Sequence, residues 1–212
     1  MTPAPPPLLA LSPGTLAGPP DVRWLVGAAR QAFAAGLPGL LLREPGLDDR
    51  GYLDLARELC GLARGLGGRW LGLHDRLHVA RVLPVDGLHL GFRSLRPGAA
   101  RELLPPSVAV GFSAHAGDGR EDWAGADYLT FGPLRETPSK RGLLEPVGLE
   151  GLERAVQRSE RPVLAIGGVR PEDVQPVRKA GAAGVAVLSG ILGAEDVSRA
   201  TERYLQAEER CP

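Results

Sequence analysis

The sequence is short of cysteine, of aromatic residues and of charge of one sign. It has 212 residues, of which two are cysteines and 5% are aromatic, and its 25 basic residues balance its 25 acidic ones. Cys60 and Cys211 form neither a metal-ligand spacing nor a disulfide framework, which favours a reducing, cytoplasmic location. The balanced charge argues against nucleic acid or an anionic membrane as the main partner, and no apolar run is long enough to span a bilayer.

Proline and glycine are abundant, with 20 and 29 residues, and they separate periodic segments instead of forming one tract. Residues 1–7 have no basic region typical of a secretory signal, and their prolines predict an extended lead-in. Residues 207–212 are expected to fray, as chain ends usually do. No linker or shift in composition divides the chain, so we expect a single domain over residues 1–212.

Strand and helix patterns alternate along the whole chain. Short apolar runs, typical of parallel strands buried on both faces, predict strands at 8–12, 39–43, 69–73, 87–90, 108–112, 127–131, 163–166 and 185–188. Helical spacing and capping residues predict helices at 21–36, 47–65, 97–104, 118–124, 149–157, 171–180 and 194–206, with another through Val79 and Val82. Asp21 is a candidate cap for the first helix, and Asp48 or Asp49 for the second. Eight such units predict a small (β/α)8 barrel, with an open doubly wound sheet as the alternative.

Two late strands end in glycine-containing turns that precede helical patterns. Gly167–Gly168 follows the seventh strand and Ser189–Gly190 follows the eighth. Backbone N–H groups in such turns can approach an anion closely, and a following helix adds its positive dipole end. These turns predict a cradle for a ligand phosphate, although two ordinary turns of an α/β protein would look the same.

Polar residues follow several of the other strands, where barrel enzymes carry their chemistry. Arg43 suits an anion ligand or an ion pair with Glu44 or another carboxylate. His74 is suited to proton transfer, and the adjacent Asp75 is a candidate magnesium ligand, partner of Arg76 or helix cap. Because His74 and Asp75 are adjacent at a strand end, we expect their side chains to point in different directions.

The remaining candidates lie after the fifth and sixth strands. Ser113 and His115 end the fifth, and His115 either lines the barrel mouth or binds a neighbouring loop. His89 is expected to be a hydrogen-bonded core residue, and His78 to be exposed. The long loop at 132–147 carries Thr137, Ser139 and Lys140, two hydroxyls and a cation that suit a phosphate or diphosphate.

Several of these motifs occur in the order found in a known family. They are Leu42-Arg43-Glu44, His74-Asp75-Arg76, Asp86-Gly87-Leu88-His89-Leu90-Gly91, Ser113-Ala114-His115, Asp127-Tyr128, Phe131-Gly132-Pro133, Thr137-Pro138-Ser139-Lys140, Ala165-Ile166-Gly167-Gly168 and Leu188-Ser189-Gly190-Ile191. From about Leu40 to Gln206 the chain resembles the thiamin phosphate synthase/TenI superfamily. The resemblance implies a (β/α)8 barrel that binds a thiazole phosphate.

Two branches of the superfamily imply different reactions. The synthase branch joins a hydroxymethylpyrimidine diphosphate to a thiazole phosphate with Mg²⁺ and releases diphosphate. The TenI branch includes a tautomerase that aromatises a thiazole carboxylate phosphate by moving a proton, for which no cofactor is expected.

This sequence departs from the synthase motifs on the diphosphate side. Where the synthase has Gln-Leu-Arg-Glu-Lys, this chain has Leu41 and Pro45 in place of the glutamine and the lysine. His74 replaces an asparagine, and Ser94 replaces the second carboxylate that resembles a magnesium ligand. The glycine turns that would hold the thiazole phosphate are intact, whereas the residues that would bind the diphosphate are missing, and this favours the TenI branch. Against it, Pro133 stands where the resemblance puts the catalytic histidine of the tautomerase.

The leading hypothesis is therefore a thiazole tautomerase, with His74 as the base and His115 as the second candidate. The alternatives are a divergent thiamin phosphate synthase, with Asp75 as a magnesium ligand, and a non-catalytic protein that binds thiazole or thiamin phosphate. All three predict a small phosphorylated ligand. The sequence leaves open whether the chain forms a homo-oligomer.

Overall fold

Eight parallel strands close into a barrel in the computed structural model, which describes residues 4–137 and 145–211. The strands β1 to β8 are Leu8–Leu11, Gly39–Leu42, Trp70–His74, Gly87–Leu90, Ala109–Ala114, Tyr128–Phe131, Val163–Ile166 and Gly184–Val187. Each strand pairs with the next, and β8 pairs with β1. The predicted (β/α)8 barrel is confirmed, and the open sheet is excluded.

Seven α-helices accompany the strands in the described ranges. The helices α1 to α7 are Pro19–Ala34, Asp49–Gly65, Leu77–Ala80, Pro97–Leu103, Gly148–Arg158, Val174–Lys179 and Val197–Glu209, with a 3-10 turn at Pro171–Asp173 before α6. None of these helices combines the length and hydropathy needed to cross a membrane. The helices pack outside the barrel and cover the outward face of its strands.

Side chains alternate between the inside and the outside of the barrel because successive strand residues point to opposite faces. Leu40 and Leu42 join the outer core, whereas Leu41 joins the inner cluster. The inner cluster consists of Leu9, Leu11, Leu41, Trp70, Ala109, Tyr128, Leu164 and Ala186. By the same alternation, the side chains of Arg43 and His74 lie on the inward side, at the carboxyl ends of β2 and β3.

Trp70 fills the amino-terminal end of the barrel. A Cβ atom at Gly72 or Gly87 would overlap its indole ring, so both positions need glycine for close packing. The indole meets the ring of Tyr128 edge to face, with centroids 6.4 Å apart. The interior is therefore packed at this end, and the barrel can receive a ligand from its carboxyl end.

The structure corrects two local predictions and decides a third. Residues 118–124 form turns and not a helix, because the Asp118 and Asp122 carboxylates accept hydrogen bonds from the backbone N–H groups of His115 and Gly119. Helix α1 begins two residues before Asp21, whose carboxylate accepts instead from the backbone of Ala17. Asp48 does cap α2, accepting from the N–H of Gly51 at 2.7 Å.

Candidate active site at the carboxyl end of the barrel

A cavity of about 480 Å³ opens at the carboxyl ends of β2, β3 and β4. Its wall includes His74, Asp75 and Arg76 from the end of β3, Pro45 from the end of β2 and Leu95 from the loop after β4. The position agrees with the rule that the chemistry of this fold lies at the carboxyl ends of its strands.

Arg43 is a cation at the barrel mouth without a side-chain partner among the described residues. Its guanidinium lies over Gly14, where an added Cβ would stand 2.5 Å from Nη1. Within residues 4–137 and 145–211, its side chain makes no hydrogen bond or ion pair. Of the two sequence interpretations, this geometry favours the anion ligand over the ion pair.

Glu44 does not neutralise Arg43. Its side chain is buried, and its two oxygens accept the N–H groups of Gly14 and Leu16 at 3.0 Å each. Glu44 therefore fixes the loop after β1 through charge-assisted hydrogen bonds and leaves the neighbouring guanidinium available.

His74 and Asp75 contact each other, which contradicts the expectation that they point apart. Asp75 and Arg76 both have left-handed backbone conformations, with φ of 56° and 52°. This turn brings the Asp75 carboxylate back onto His74, with Nδ1 of the ring 3.2 Å from Oδ2. The other oxygen of Asp75 accepts the Ser94 hydroxyl.

Asp75 does not pair with Arg76, and it does not cap the following helix. The Arg76 guanidinium bonds Asp49 at 2.8 Å and the Leu47 carbonyl at 2.7 Å. His78, which is exposed as predicted, lies 3.3 Å from the same Asp49 carboxylate. The Asp75 carboxylate therefore contacts His74 and Ser94.

The pKa of the Asp75 carboxyl lies below its usual value. Burial alone would raise the pKa, but hydrogen bonds from His74 and Ser94 outweigh that effect. Asp75 is consequently an ionised acceptor at neutral pH, held half-buried beside the His74 ring.

His89 lies inside the barrel as a hydrogen-bonded core residue, as the sequence predicts. Its Nδ1 is 3.2 Å from the hydroxyl of Tyr128, and its Nε2 is 2.9 Å from the Ser113 hydroxyl and 3.3 Å from that of Thr130. Burial first, and then the charge of His74, lower the pKa of His89 to about 3. The Ser113 hydroxyl therefore belongs to a neutral network beneath the cavity.

His115, the second candidate base, is not among the residues that line the cavity. Its backbone N–H donates to Asp118 at 2.7 Å, and its ring meets the exposed Phe92 edge to face at 6.4 Å. Of the two sequence possibilities, the structure favours contact with neighbouring loop residues over a place in the lining of this cavity.

The Gly167–Gly168 turn is shaped by close contact with the chain that leaves β6. Both glycines have positive φ, 90° and 68°. A Cβ at Gly167 would stand 2.6 Å from Cβ of Pro133, and one at Gly168 would stand 2.9 Å from Cβ of Arg135. Both positions therefore need glycine for their backbone angle and for space.

The backbone N–H groups of Gly167, Gly168, Ser189 and Gly190 donate no hydrogen bond inside the described ranges. This is the condition that an anion cradle requires. The helical contribution differs from the sequence prediction: α7 begins at Val197 and not at residue 194, so its dipole end lies seven residues beyond Gly190. The predicted cradle would therefore consist of turns, with a three-residue 3-10 turn at Pro171–Asp173 after the first of them.

The loop after β6 is only partly described. Thr137 is the last residue described before the gap, and Ser139 and Lys140 lie outside the described residues. Their predicted contact with a phosphate or diphosphate stays a prediction.

Ser189 offers a direct test of the cradle. A carboxylate at this exposed position should repel a phosphate without disturbing the backbone, so Ser189→Asp should weaken the binding of a phosphorylated ligand about tenfold or more. Ser189→Asn, of equal size and no charge, should retain most of the affinity. Isothermal titration with a thiazole phosphate measures both. Equal affinity in the two folded variants would place the phosphate elsewhere.

Gly168→Asp is a poor test of the same site, because any side chain at Gly168 strains the backbone.

A family model described as thiamine monophosphate synthase matches residues 17–191. The chain belongs to the thiamine monophosphate synthase family. The superfamily that the sequence motifs resemble is thereby confirmed.

Individual relatives of this family carry the synthase name. The chain is 38% identical over 184 residues to thiamine-phosphate synthase from Moorella thermoacetica, covering 85% of this chain and 87% of the relative. It is 41% identical over 161 residues to thiamine-phosphate synthase from Salinispora arenicola, covering 75% and 77%. The solved thiamine phosphate pyrophosphorylase from Pyrococcus furiosus superposes with a TM-score of 0.81 at 29% identity and covers 95% of both chains.

Magnesium, which the resemblance implies for the synthase branch, can be tested against the residues present in this family member. The described residues contain no group of three or more histidine, cysteine, aspartate or glutamate side chains that could hold a metal. Both oxygens of Glu44 accept backbone N–H groups, and those of Asp75 contact Ser94 and His74. Magnesium prefers several oxygen ligands in octahedral geometry. These donors do not fit a magnesium site held by the protein alone.

Proposed function

We propose that this chain is a thiamin phosphate synthase, the alternative in the sequence analysis, and not primarily a tautomerase. The observation that carries the proposal is Pro133, which stands where the resemblance puts the tautomerase histidine and packs against Gly167 of the cradle. A proline at this point has no group that could move a proton. The synthase names of the relatives support the same choice.

The proposed reaction is a substitution at carbon. The ring nitrogen of a thiazole phosphate forms a bond to the methylene carbon of a pyrimidine diphosphate, the carbon–oxygen bond of that methylene breaks, and diphosphate leaves with the bonding electrons. The protein has to hold the two substrates in line and stabilise the charge that develops on the diphosphate.

The residues divide between these two tasks. The N–H groups of the Gly167–Gly168 and Ser189–Gly190 turns would hold the thiazole phosphate, which fixes the nucleophile. The Arg43 guanidinium lies at the mouth and has no partner in the described part of the chain, so it would bind the diphosphate with two parallel hydrogen bonds. Pro45 supplies no charge where the synthase motif has a lysine, so the leaving group receives less stabilisation and turnover should be slow.

The tautomerase hypothesis stands as the second candidate because of one observation, the contact between His74 and Asp75. A carboxylate that accepts from Nδ1 leaves Nε2 with a lone pair, which is the arrangement of a general base. The comparisons give this reaction no support beyond the shared superfamily.

An assay with both substrates separates the two functions. Purified protein with pyrimidine diphosphate, thiazole phosphate and Mg²⁺ should form thiamin phosphate and diphosphate in equal amounts, with a turnover below about 1 per second, at the slow end for enzymes. Thiamin phosphate is measured by fluorescence after oxidation to the thiochrome form. Absence of product with the protein in excess over substrate, together with isomerisation of a thiazole carboxylate phosphate, would favour the second candidate.

A further inference from the structure

A chain of hydrogen bonds runs along one side of the cavity. The N–H of Gly91 donates to the Ser94 hydroxyl oxygen at 2.7 Å, and the Ser94 hydroxyl hydrogen goes to Oδ1 of Asp75. Oδ2 of Asp75 lies 3.2 Å from Nδ1 of His74. Each donor in this chain has one acceptor, so the direction of every hydrogen bond is fixed.

The direction of the last bond follows from the charge of Asp75. An ionised carboxylate can only accept, so Nδ1 carries the hydrogen whenever the His74 ring is neutral. Nε2 then holds a lone pair, and it has no hydrogen-bond partner among the described residues. It lies beside Gly91, whose added Cβ would stand 3.6 Å from it, on the wall of the cavity.

We propose that Asp75 is the orienting carboxylate of His74 and not a metal ligand, and that Ser94 is the positioning residue that holds Asp75 for this task. Ser94 stands where the synthase motif has its second acidic residue. Its hydroxyl donates to Oδ1 of Asp75 and so competes with a cation for that oxygen. His74 occupies the other oxygen, and the pair presents Nε2 as an acceptor toward the substrate.

Two physical effects support this assignment. A hydrogen bond from a carboxylate to one ring nitrogen fixes the tautomer and orientation of a histidine, a device used in metal sites and in catalytic triads. The left-handed backbone at Asp75 is unfavourable for a residue other than glycine, so the surrounding contacts must hold it. The side-chain contacts of Asp75 with Ser94 and His74 hold this conformation together with the bond from its own N–H to the carbonyl of His89 at 2.9 Å.

Metal binding tests the first part without any reaction. The proposal rests on the site of the proposed function. Substrate-free protein is titrated with Mn²⁺, and binding is followed by electron paramagnetic resonance, which does not depend on the reaction that the protein catalyses. Wild-type protein should bind no more Mn²⁺ than Asp75→Asn up to about 1 mM, a range in which weak oxygen sites still bind divalent cations. Binding by the wild type that Asp75→Asn abolishes would overturn the proposal.

Nitrogen NMR of histidine-labelled protein tests the second part. The His74 ring should be in the Nδ1–H form, and Ser94→Ala should reduce the population of that form, whereas Ser94→Thr should restore it because it retains the hydroxyl. Asp49→Asn, which removes an exposed carboxylate near the same cavity, serves as the control and should leave the His74 signals in place. A His74 ring in the Nε2–H form, or one that Ser94→Ala leaves unchanged, would contradict the assignment.

Kinetics give a third readout once turnover is measured. Ser94→Ala should lower kcat about tenfold, less than the roughly 100-fold or more that a group transferring a proton directly contributes, because Ser94 acts only through Asp75. KM should stay nearly constant, and Ser94→Thr should recover kcat. A raised KM with unchanged kcat would instead make Ser94 a simple binding residue and overturn the positioning role. Failure to find thiamin phosphate synthesis would leave the Mn²⁺ and NMR results standing, so the two proposals fail separately.

Discussion

Arg43→Ala should lower kcat/KM for the formation of thiamin phosphate by about 100-fold or more, the magnitude typical for the loss of a group that stabilises developing charge. Arg43 is the cation that faces the mouth without a partner in the described structure, and Pro45 leaves no lysine beside it to compensate. Arg43→Lys should recover part of the activity, because an ammonium group retains the charge but loses the paired hydrogen bonds.

Stability separates this effect from a folding defect. The Arg43 side chain makes no hydrogen bond or ion pair within the described ranges, so its removal should leave the melting temperature close to that of the wild type. Arg57→Ala, which removes an exposed arginine on α2, is the matched control and should change neither quantity. If Arg43→Ala retains kcat/KM within a factor of three, the diphosphate binds to another group.

The protein should lose stability steeply in mild acid because of His89. The ordinary pKa of histidine is 6.5, whereas burial lowers that of His89 to about 3 in the folded state. Between these two values the unfolded chain binds a proton that the folded chain does not. The free energy of unfolding therefore falls as pH falls from 6.5 toward 3, by about 1.4 kcal/mol per pH unit from this group alone.

Urea unfolding at several pH values measures this dependence. At pH 5 the contribution of His89 should be about 2 kcal/mol lower than at pH 7. Carboxylates also titrate in this range, so the comparison is made with His89→Gln, whose amide can still bond Tyr128 or Ser113 but does not titrate. The variant should show a shallower loss between pH 6.5 and 4. Parallel profiles for the two proteins would mean that His89 is protonated in the folded state.

The strands were predictable because each is an uninterrupted apolar run. Parallel barrel strands are buried on both faces, and Leu40 to Leu42 or Val163 to Ile166 show this directly in the sequence. The false helix at 118–124 has a physical explanation. Asp118 and Asp122 use their side chains to bind nearby backbone N–H groups, and this local competition is invisible to a count of helix-forming residues.

The site was predictable in its position and less so in its contacts. Strand ends placed Arg43, His74 and the glycine turns at the barrel mouth, because the fold fixes where strand ends meet. The contact of Asp75 with His74 depends on left-handed backbone at two residues that are not glycine, for which the sequence gives no signal. The role of Glu44 was missed for a similar reason, since its partners are backbone N–H groups of a distant loop.

Closure of the barrel also affects how the chain reaches this state. The N–H of Val185 donates to the carbonyl of Pro7 at 2.7 Å, which joins the first strand to the last across nearly the whole sequence. Until β8 has been synthesised, β1 has one unpaired edge of N–H and carbonyl groups. Contacts of such long sequence separation form slowly, and open strand edges can pair with other chains. Fragments that end before Gly184 lack the strand that pairs with β1, so they should aggregate or depend on chaperones.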